Sequence, residues 1–475
     1  MREETTRRRR ADAPGGRTAS RRSLVRAGGG LALAAAAAPA LRFRGIAAQG
    51  TPTSSKPVTV TINNAPPENQ PAALKTYNEV VKRFEQMHPN ITIKADSSSW
   101  DPKTFPAQLA AGTLDDAFLV PFTEPKGIIA RGQAANITEY IKRWPYFSSF
   151  NPGILQIVQD AKGQIYGIPS GGYALGLVYN RTFFQKAGLD PDKPPATWDE
   201  LRDYAKKLTA SGRAGFVETS KDNQGGWHFT AWMDSAGAGD KLEVEQNGKW
   251  TAIFSNPTGV AVLNLLKEMR WTDKSMGERQ LLNQDDTQQM IATGQAAMAI
   301  EAGDAFSNIK QKFEDVNMGD FGFGILPQNG GNATLTGGAA WMFNPKSSPD
   351  VLAAAVEWVL YHDFDLTNYE DTLKANQASG LLIGAPELPI FTGAFQTKRQ
   401  DLTNQYANAP VNNYRPFTEG MANIKLVPEP PANTQQMYAA LDTAVQAILT
   451  DKNADPKQAL DKAQQQFQKV LDQGS

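Results

Sequence analysis

Strand and helix patterns alternate from residue 58 onward, and this alternation limits the fold more than any other feature. A β-branched run at 58–62 predicts a strand, and residues at helical spacing follow it: Leu74, Tyr77, Val81 and Phe84. The pattern continues with a strand at 91–93, a helix at 105–111 and a strand at 117–120. Such alternation predicts an α/β fold with a mainly parallel sheet covered by helices.

Helix signals recur later in the chain. Thr197 and Glu200 stand at capping-box spacing, which predicts a helix start. Two apolar stripes near the C-terminus predict two further helices, and Asp455-Pro456 is typical of a helix N-terminus. With 475 residues, the chain is too long for one hydrophobic core, so at least two domains are expected.

Composition excludes several kinds of chemistry. The chain has no Cys, and its three His (His88, His228 and His362) lie far apart in sequence, so neither a thiolate site nor a histidine metal centre is expected. Phosphate-binding glycine loops and the GxSxG nucleophile motif do not occur. We therefore expect no catalytic residue, no metal and no cofactor, although acidic pairs such as Asp115-Asp116 leave glycoside hydrolysis open.

The basic charge of the chain is concentrated at its N-terminus. Residues 1–48 hold eleven Arg and no Lys against three acids, and the rest has 37 basic and 46 acidic residues. Ser20-Arg21-Arg22 precedes an Ala-rich run at 27–41 and small residues at 45–48, an arrangement that resembles a twin-arginine export signal. The alternative, a basic tail on a cytosolic protein, leaves the Ala-rich run unexplained.

The mature chain is expected to be soluble and outside the cytoplasmic membrane. We predict a signal peptide at 1–48 and a polar linker at 49–57. The Ala-rich run is too short and weakly apolar to span a bilayer, and a chain without Cys has no lipid-anchor motif. The acidic balance of the mature chain argues against nucleic-acid binding.

Aromatic residues at the ends of predicted elements suggest a carbohydrate site, because sugar rings stack on aromatic faces. For each residue, packing in a core is the alternative. The candidates are Trp100, Phe122, Tyr173, Trp227, Trp232 and Trp341.

Three motifs in order carry a resemblance to a known family. They are the segments 162–169 (KGQIYGIP), 177–189 (LVYNRTFFQKAGL) and 195–201 (PATWDEL). Together with shorter matches between 58 and 472, they resemble family 1 of the extracellular solute-binding proteins of ABC importers, the maltose-binding-protein-like group.

The resemblance implies a type II periplasmic-binding-protein fold, with two α/β lobes joined by hinge crossovers around a ligand cleft. Lobe I would comprise 58–172 and 328–385, and lobe II 173–327 and 386–475. Crossings are expected near residues 171–173, 327–331 and 384–386. The lobes would close on a small solute, most simply a mono- or oligosaccharide, and present it to an importer permease. We expect a monomer that makes and breaks no bond.

The same resemblance implies ligand contacts at strand ends and in the cleft, with a Tyr173 contact where the chain enters the second lobe. The full set is Asn64 with its neighbour Asn63, Trp100, Phe122, Thr123, Glu124, Tyr173, Trp227, Trp232, Asp304, Trp341, Arg415 and Tyr438. Asp304 stands where many family members have a Trp sugar platform. Asp304 would therefore either accept hydrogen bonds from sugar hydroxyls or indicate a different solute.

Other functions stay open at this stage. Within the family, the alternatives to a carbohydrate are a polyol, a glycerol phosphate or a cationic solute. Arg415 is the candidate partner for a phosphate group. Outside it, a secreted carbohydrate-active enzyme would need two carboxylates at a fixed separation. A sensor module that reports ligand state to a membrane receptor would have the same fold.

Overall fold

The computed structural model describes residues 56–69, 71–237 and 242–473. The predicted signal peptide at 1–48 lies outside the described residues, as does the predicted linker at 49–57 except for its last two residues.

Eleven strands occur in the described part of the chain. They are β1 (Val58–Ile62), β2 (Ile91–Ala95), β3 (Ala117–Pro121), β4 (Gly167–Ala174), β5 (Gly176–Asn180), β6 (Glu243–Gln246), β7 (Lys249–Ala252), β8 (Met298–Glu301), β9 (Phe321–Ile325), β10 (Ala333–Phe343) and β11 (Lys425–Pro428).

The α-helices of the described residues are α1 (Pro71–Met87), α2 (Phe105–Ala111), α3 (Pro125–Ala130), α4 (Thr138–Ile141), α5 (Pro152–Leu155), α6 (Arg181–Lys186), α7 (Trp198–Leu208), α8 (Gln224–Ser235), α9 (Pro257–Lys267), α10 (Gln284–Ala292), α11 (Ala305–Lys312), α12 (Pro349–Phe364), α13 (Leu366–Ala378), α14 (Gly393–Tyr406), α15 (Arg415–Gly420), α16 (Thr434–Thr450) and α17 (Pro456–Gln473). None of these helices is long and apolar enough to cross a membrane.

A six-stranded sheet forms the first lobe. Its order is β11-β10-β3-β1-β2, and β4 pairs with β10. Strand β1 runs parallel to β2 and β3, whereas β10 runs antiparallel to β3 and β4. Helices α1 and α12 pack against each other through Phe84 and Trp358, whose ring centroids lie 5.1 Å apart.

A three-stranded sheet, β8-β5-β9, forms the second lobe. Both pairings are antiparallel, so the prediction of a mainly parallel sheet is confirmed for β1 to β3 but is wrong for this lobe. The reason is the path of the chain: β5 leads away from the crossing, whereas β9 leads back towards it. Helices α7, α8, α9, α16 and α17 share one apolar core with this sheet.

Two connections between the lobes lie side by side. Strand β4 of the first sheet continues into β5 of the second through Leu175, and β9 continues into β10 through residues 326–332. Because β4 and β10 pair antiparallel, these two crossings run in opposite directions at the hinge.

We propose that the third crossing lies after α14, whereas the resemblance predicts it near 384–386. Helix α14 still packs on the first lobe, where the Phe395 ring stacks on Tyr146 at 4.4 Å and contacts Trp144 at 5.3 Å. The chain reaches the second lobe after α14, where the Asn413 side chain donates to the carbonyl oxygen of Phe321. Aromatic packing therefore favours residues 388–406 as part of the first lobe, and we propose that the lobe II range predicted from 386 begins after α14. Strand β11 is the exception, because it pairs with β10 in the first-lobe sheet.

Several local predictions are confirmed. The observed β1, β2, β3, α1 and α2 coincide with the predicted elements within a few residues. Thr197 and Glu200 form the reciprocal capping box at the start of α7. Asp455 accepts from the backbone N–H of Gln458 at 2.8 Å and so caps the last helix.

Candidate functional site

One edge of the first-lobe sheet collects several of the predicted residues. Strands β1 and β3 are parallel, so the residues after them, Asn64 and Phe122–Glu124, emerge at the same edge. Tyr173, near the end of β4, reaches this edge as well, because β4 runs antiparallel to β10 beside it. The predicted ligand residues on these three strands are therefore brought together where the first lobe faces the hinge.

Two glycines of β10 allow close packing at this edge. The backbone N–H of Phe122 donates to the carbonyl oxygen of Gly338 at 3.0 Å. A methyl group on Gly338 would lie 2.7 Å from the Phe122 ring, and one on Gly337 would lie 2.3 Å from the Tyr173 hydroxyl. The Phe122 and Tyr173 side chains thus lie directly on glycine backbone, which fixes the position of both rings.

Tyr173 and Trp227 join the two lobes through their rings. Tyr173 belongs to the first-lobe sheet, whereas Trp227 lies in the first turn of α8 in the second lobe. Their ring centroids are 5.8 Å apart in an edge-to-face arrangement, with an interplanar angle of 76°. This geometry places an aromatic corner at the hinge side of the two lobes.

Helix α8 is held in place by α16. The carboxylate of Asp442 accepts from the backbone N–H groups of Asn223 at 2.7 Å and Gly226 at 2.8 Å. A methyl group on Gly226 would lie 2.3 Å from the carbonyl oxygen of Tyr438, so glycine is needed for this close approach. The Asp442 bonds and the glycine contact together fix the start of α8, and with it the Trp227 ring.

Three carboxylates follow segments that lead to the hinge: Glu124 comes after β3, Asp304 after β8, and Glu387 after Pro386, whose carbonyl oxygen lies against Gly303. Burial raises the pKa of Glu124, which accepts from the Thr123 hydroxyl at 3.1 Å, and burial also raises the pKa of Asp304. Protein groups packed around its carboxyl group raise the pKa of Glu387 too by burial. Part of the residue is nevertheless exposed to solvent. Sequence reasoning missed Glu387, and the only signal for it was its place beside the crossing expected near 384–386.

Trp232, Tyr438 and Trp341 do not line this edge. Trp232 is fully buried and donates to Glu218 Oε2 at 2.8 Å. Tyr438 is fully buried and its hydroxyl donates to Glu429 at 3.0 Å. Trp341, near the end of β10, is 6% exposed and its indole N–H donates to Asp363 at 2.9 Å. Each of these rings is used in core packing, and their roles as cleft-lining aromatics stay predictions.

Trp100 and Arg415 lie at the margins. Trp100 packs against Phe105 with ring centroids 5.9 Å apart, on the segment that follows β2. Arg415 is exposed and forms a salt bridge with Glu419 one helical turn away, at 2.8 Å. Its neighbour Tyr414 is buried against Phe306, which is two residues after Asp304.

A buried polar network underlies the second-lobe edge. His228 Nδ1 lies 2.5 Å from Glu218 Oε1, and both side chains are 1% exposed. Glu301, at the end of β8, accepts from the Thr287 hydroxyl at 2.7 Å and from the Gln284 amide at 2.9 Å. Burial raises the pKa of Glu301 to about 7, and these hydrogen bonds only partly oppose the effect.

The candidate site therefore combines aromatic rings with the partly buried carboxylates of Glu124 and Asp304. This arrangement can pack an apolar ring face and accept hydrogen bonds from hydroxyl groups. Within the described residues, no group of three or more His, Cys, Asp or Glu side chains could hold a metal ion.

The model of the bacterial extracellular solute-binding protein family matches residues 68–361. The chain belongs to this family. Its similarity to individual members extends further. It is 28% identical over 353 residues to the sn-glycerol-3-phosphate-binding periplasmic protein UgpB of Salmonella paratyphi A, covering 68% of this chain and 71% of that protein.

Solved structures of other binding proteins share the fold of this family member. The cyclic alpha-maltosyl-1,6-maltose binding protein of Arthrobacter globiformis aligns with a TM-score of 0.64 and 21% identity, over 88% of this chain and 100% of that one. UgpB of Mycobacterium tuberculosis, in complex with glycerophosphocholine, aligns with a TM-score of 0.62 and 18% identity, over 88% and 99%. These similarities support the two-lobe solute-binding fold.

Proposed function

We propose that this chain is the extracytoplasmic binding component of an ABC importer and that it captures a neutral carbohydrate between its lobes. The observation that carries the proposal is the Tyr173–Trp227 ring pair, with Glu124 and Asp304 on the facing lobe edges. An aromatic corner buries the apolar face of a pyranose, and carboxylates accept from its hydroxyls. Closure of the lobes gives the permease a shape to recognise.

Partly buried carboxylates favour a neutral solute over an anionic one. A phosphate group beside Glu124 or Asp304 would add like charge where both carboxylates are already partly withdrawn from water. Burial raises the pKa of both groups, so their charged forms are already costly without a second anion. A hydroxyl-rich solute donates hydrogen bonds to these carboxylates and lowers that cost.

The alternative solute is a glycerol phosphate, and it is favoured by the relatives of the chain that bind sn-glycerol 3-phosphate. In that case Arg415 would supply the positive charge. Its present partner is Glu419, and both side chains are about two-thirds exposed, at 65% and 66%. A polyol or a cationic solute is compatible with the same carboxylates.

The proposed role includes export and a membrane partner. The relatives are periplasmic proteins, and the Arg-rich segment at 1–48 would act as a twin-arginine signal. We propose that the mature monomer works outside the cytoplasmic membrane without a lipid anchor, meets the permease there, and catalyses no reaction.

A thermal-shift assay on residues 49–475 tests the proposal. The panel is maltose, D-tagatose, sn-glycerol 3-phosphate and glycerophosphocholine. A solute present at 100 times its dissociation constant stabilises the native state by about 2.7 kcal/mol, which is a measurable shift. A rise in the unfolding temperature with a saccharide alone supports the carbohydrate hypothesis. A rise with a phosphorylated solute alone overturns it. Turnover of an added oligosaccharide would contradict the absence of catalysis.

A further inference from the structure

Gly303 makes a contact that leaves no room for a side chain. It lies between β8 and α11 in the second lobe. A methyl group on Gly303 would come within 1.7 Å of the carbonyl oxygen of Pro386 and 2.8 Å of its carbonyl carbon. Gly303 is not among the described glycines with positive φ, so its backbone conformation suits any residue. Glycine is required here by the contact with Pro386, not by local geometry.

Pro386 belongs to a segment, residues 384–388, that is anchored to the first lobe. Just beyond it, Ile390 accepts from the backbone N–H of Asn151 at 2.9 Å, and Thr392 donates to Ser149 at 2.6 Å. Leu388 lies against the β4 crossing, where a methyl group on Gly172 would meet its side chain at 3.4 Å. The Gly303–Pro386 contact therefore joins the two lobes.

We infer that Gly303 is a positioning residue that sets how closely the two lobes approach. The inference rests on the proposed binding function. Asp304 and Glu387 each follow one partner of the contact, so the contact also sets the spacing between these two carboxylates. With glycine at position 303, the two backbones lie closer together than any other residue there would allow. This contact holds both carboxylates at the facing edges, where a polyhydroxy solute would bridge them.

The test measures the separation of the lobes directly. Because the chain has no Cys, nitroxide labels can be attached to two introduced cysteines, at Glu139 on α4 and Gln185 on α6, both exposed. Distance distributions by pulsed electron resonance are recorded for the 49–475 protein alone, with maltose, and with sn-glycerol 3-phosphate. In Gly303→Ala the added methyl should shift the short-distance population to longer distances under every condition.

Gly127→Ala is the matched control. It adds the same methyl group in α3, where the nearest atoms belong to the flexible guanidinium of Arg131, at 3.0 Å and beyond. Its distance distribution should match that of the parent protein. Pro386→Gly adds no atom at residue 303 but frees the 384–388 segment, and it should also reduce the short-distance population.

Solute affinity gives the second readout. Gly303→Ala should bind the active panel solute roughly tenfold more weakly, as expected when the closed population falls about tenfold. An unchanged distance distribution in Gly303→Ala and Pro386→Gly would overturn the inference. If Gly303→Ala shifts to longer distances as expected but the protein binds only the phosphorylated solute, the carbohydrate proposal is overturned. The role of Gly303 in lobe approach then stands.

Discussion

The rings of Tyr173 and Trp227 meet edge to face, 5.8 Å apart, although they belong to different lobes. Tyr173 is fixed because its ring lies on Gly337, and Trp227 is fixed because Asp442 holds the start of α8. The aromatic corner is therefore positioned from both sides. A rigid pair of this kind binds an apolar ring face at little cost in side-chain entropy.

Replacement of Tyr173 or Trp227 by Ala is expected to weaken saccharide binding by about 1–3 kcal/mol, because stacking area is lost. Isothermal titration with the saccharide found in the thermal-shift assay measures the change. Trp232→Ala is the control for a ring in the same helix: it should lower the free energy of unfolding by about 3–5 kcal/mol. Equal affinity in both Tyr173→Ala and Trp227→Ala would move the site elsewhere.

Trp341→Ala should act on stability and not on recognition. The ring is buried in the first lobe, and its loss should lower the free energy of unfolding by about 3–5 kcal/mol. Chemical denaturation checks this value, and titration of the folded variant should give unchanged affinity. Trp341→Phe keeps most of the ring but removes the hydrogen bond to Asp363, so it should cost about 1–3 kcal/mol. A loss of affinity without a loss of stability would return Trp341 to the cleft.

The resemblance to the family supplied Phe122, Thr123 and Glu124 as ligand residues, and the strand pattern agrees with their position, because parallel strands end at one edge of a sheet. Their contact with a solute stays a prediction. Helix α8 offers no such rule, since it is buried on nearly every side and hydropathy does not show which face meets the cleft. For this reason Trp227 and Trp232 were predicted alike, yet only Trp227 contacts Tyr173.

Contacts between distant segments were beyond sequence reasoning. Glu387 lies in an irregular segment without periodicity, and its place beside the second lobe follows from the Gly303–Pro386 contact. The later position that we propose for the third crossing has a similar reason. Packing of Phe395 on Trp144 and Tyr146 holds α14 to the first lobe, and no local signal encodes that partner choice.

Glu301 should make stability depend on pH. Burial raises its pKa to about 7, so between about pH 4.3 and about pH 7 the native state holds a proton that the unfolded chain has released. The contribution of Glu301 to the free energy of unfolding is therefore largest at low pH, falls as the pH rises through this range, and is level above it. Denaturation with urea at several pH values measures this slope.

Glu301→Gln should flatten that slope, because an amide keeps hydrogen bonds to Thr287 and Gln284 without titrating. Replacement of the exposed Glu139 by Gln is the control and should leave the slope unchanged. Parallel pH profiles for Glu301→Gln and the parent protein would show that Glu301 does not carry the effect.

Arg415 separates the two candidate solutes. Its exposed salt bridge with Glu419 contributes only about 0–1 kcal/mol, so Arg415→Ala should leave the unfolding free energy nearly unchanged. If the solute is a neutral carbohydrate, saccharide affinity should also be unchanged, and Glu419→Ala should behave identically. A glycerol phosphate held by Arg415 gives the opposite pattern. Arg415→Ala would then lose affinity, while Glu419→Ala, which frees the guanidinium group, would gain it. Titration of both variants with maltose and with sn-glycerol 3-phosphate therefore decides between the solutes. Affinity changes of opposite sign in Arg415→Ala and Glu419→Ala indicate a glycerol phosphate, and unchanged affinity in both indicates a neutral carbohydrate.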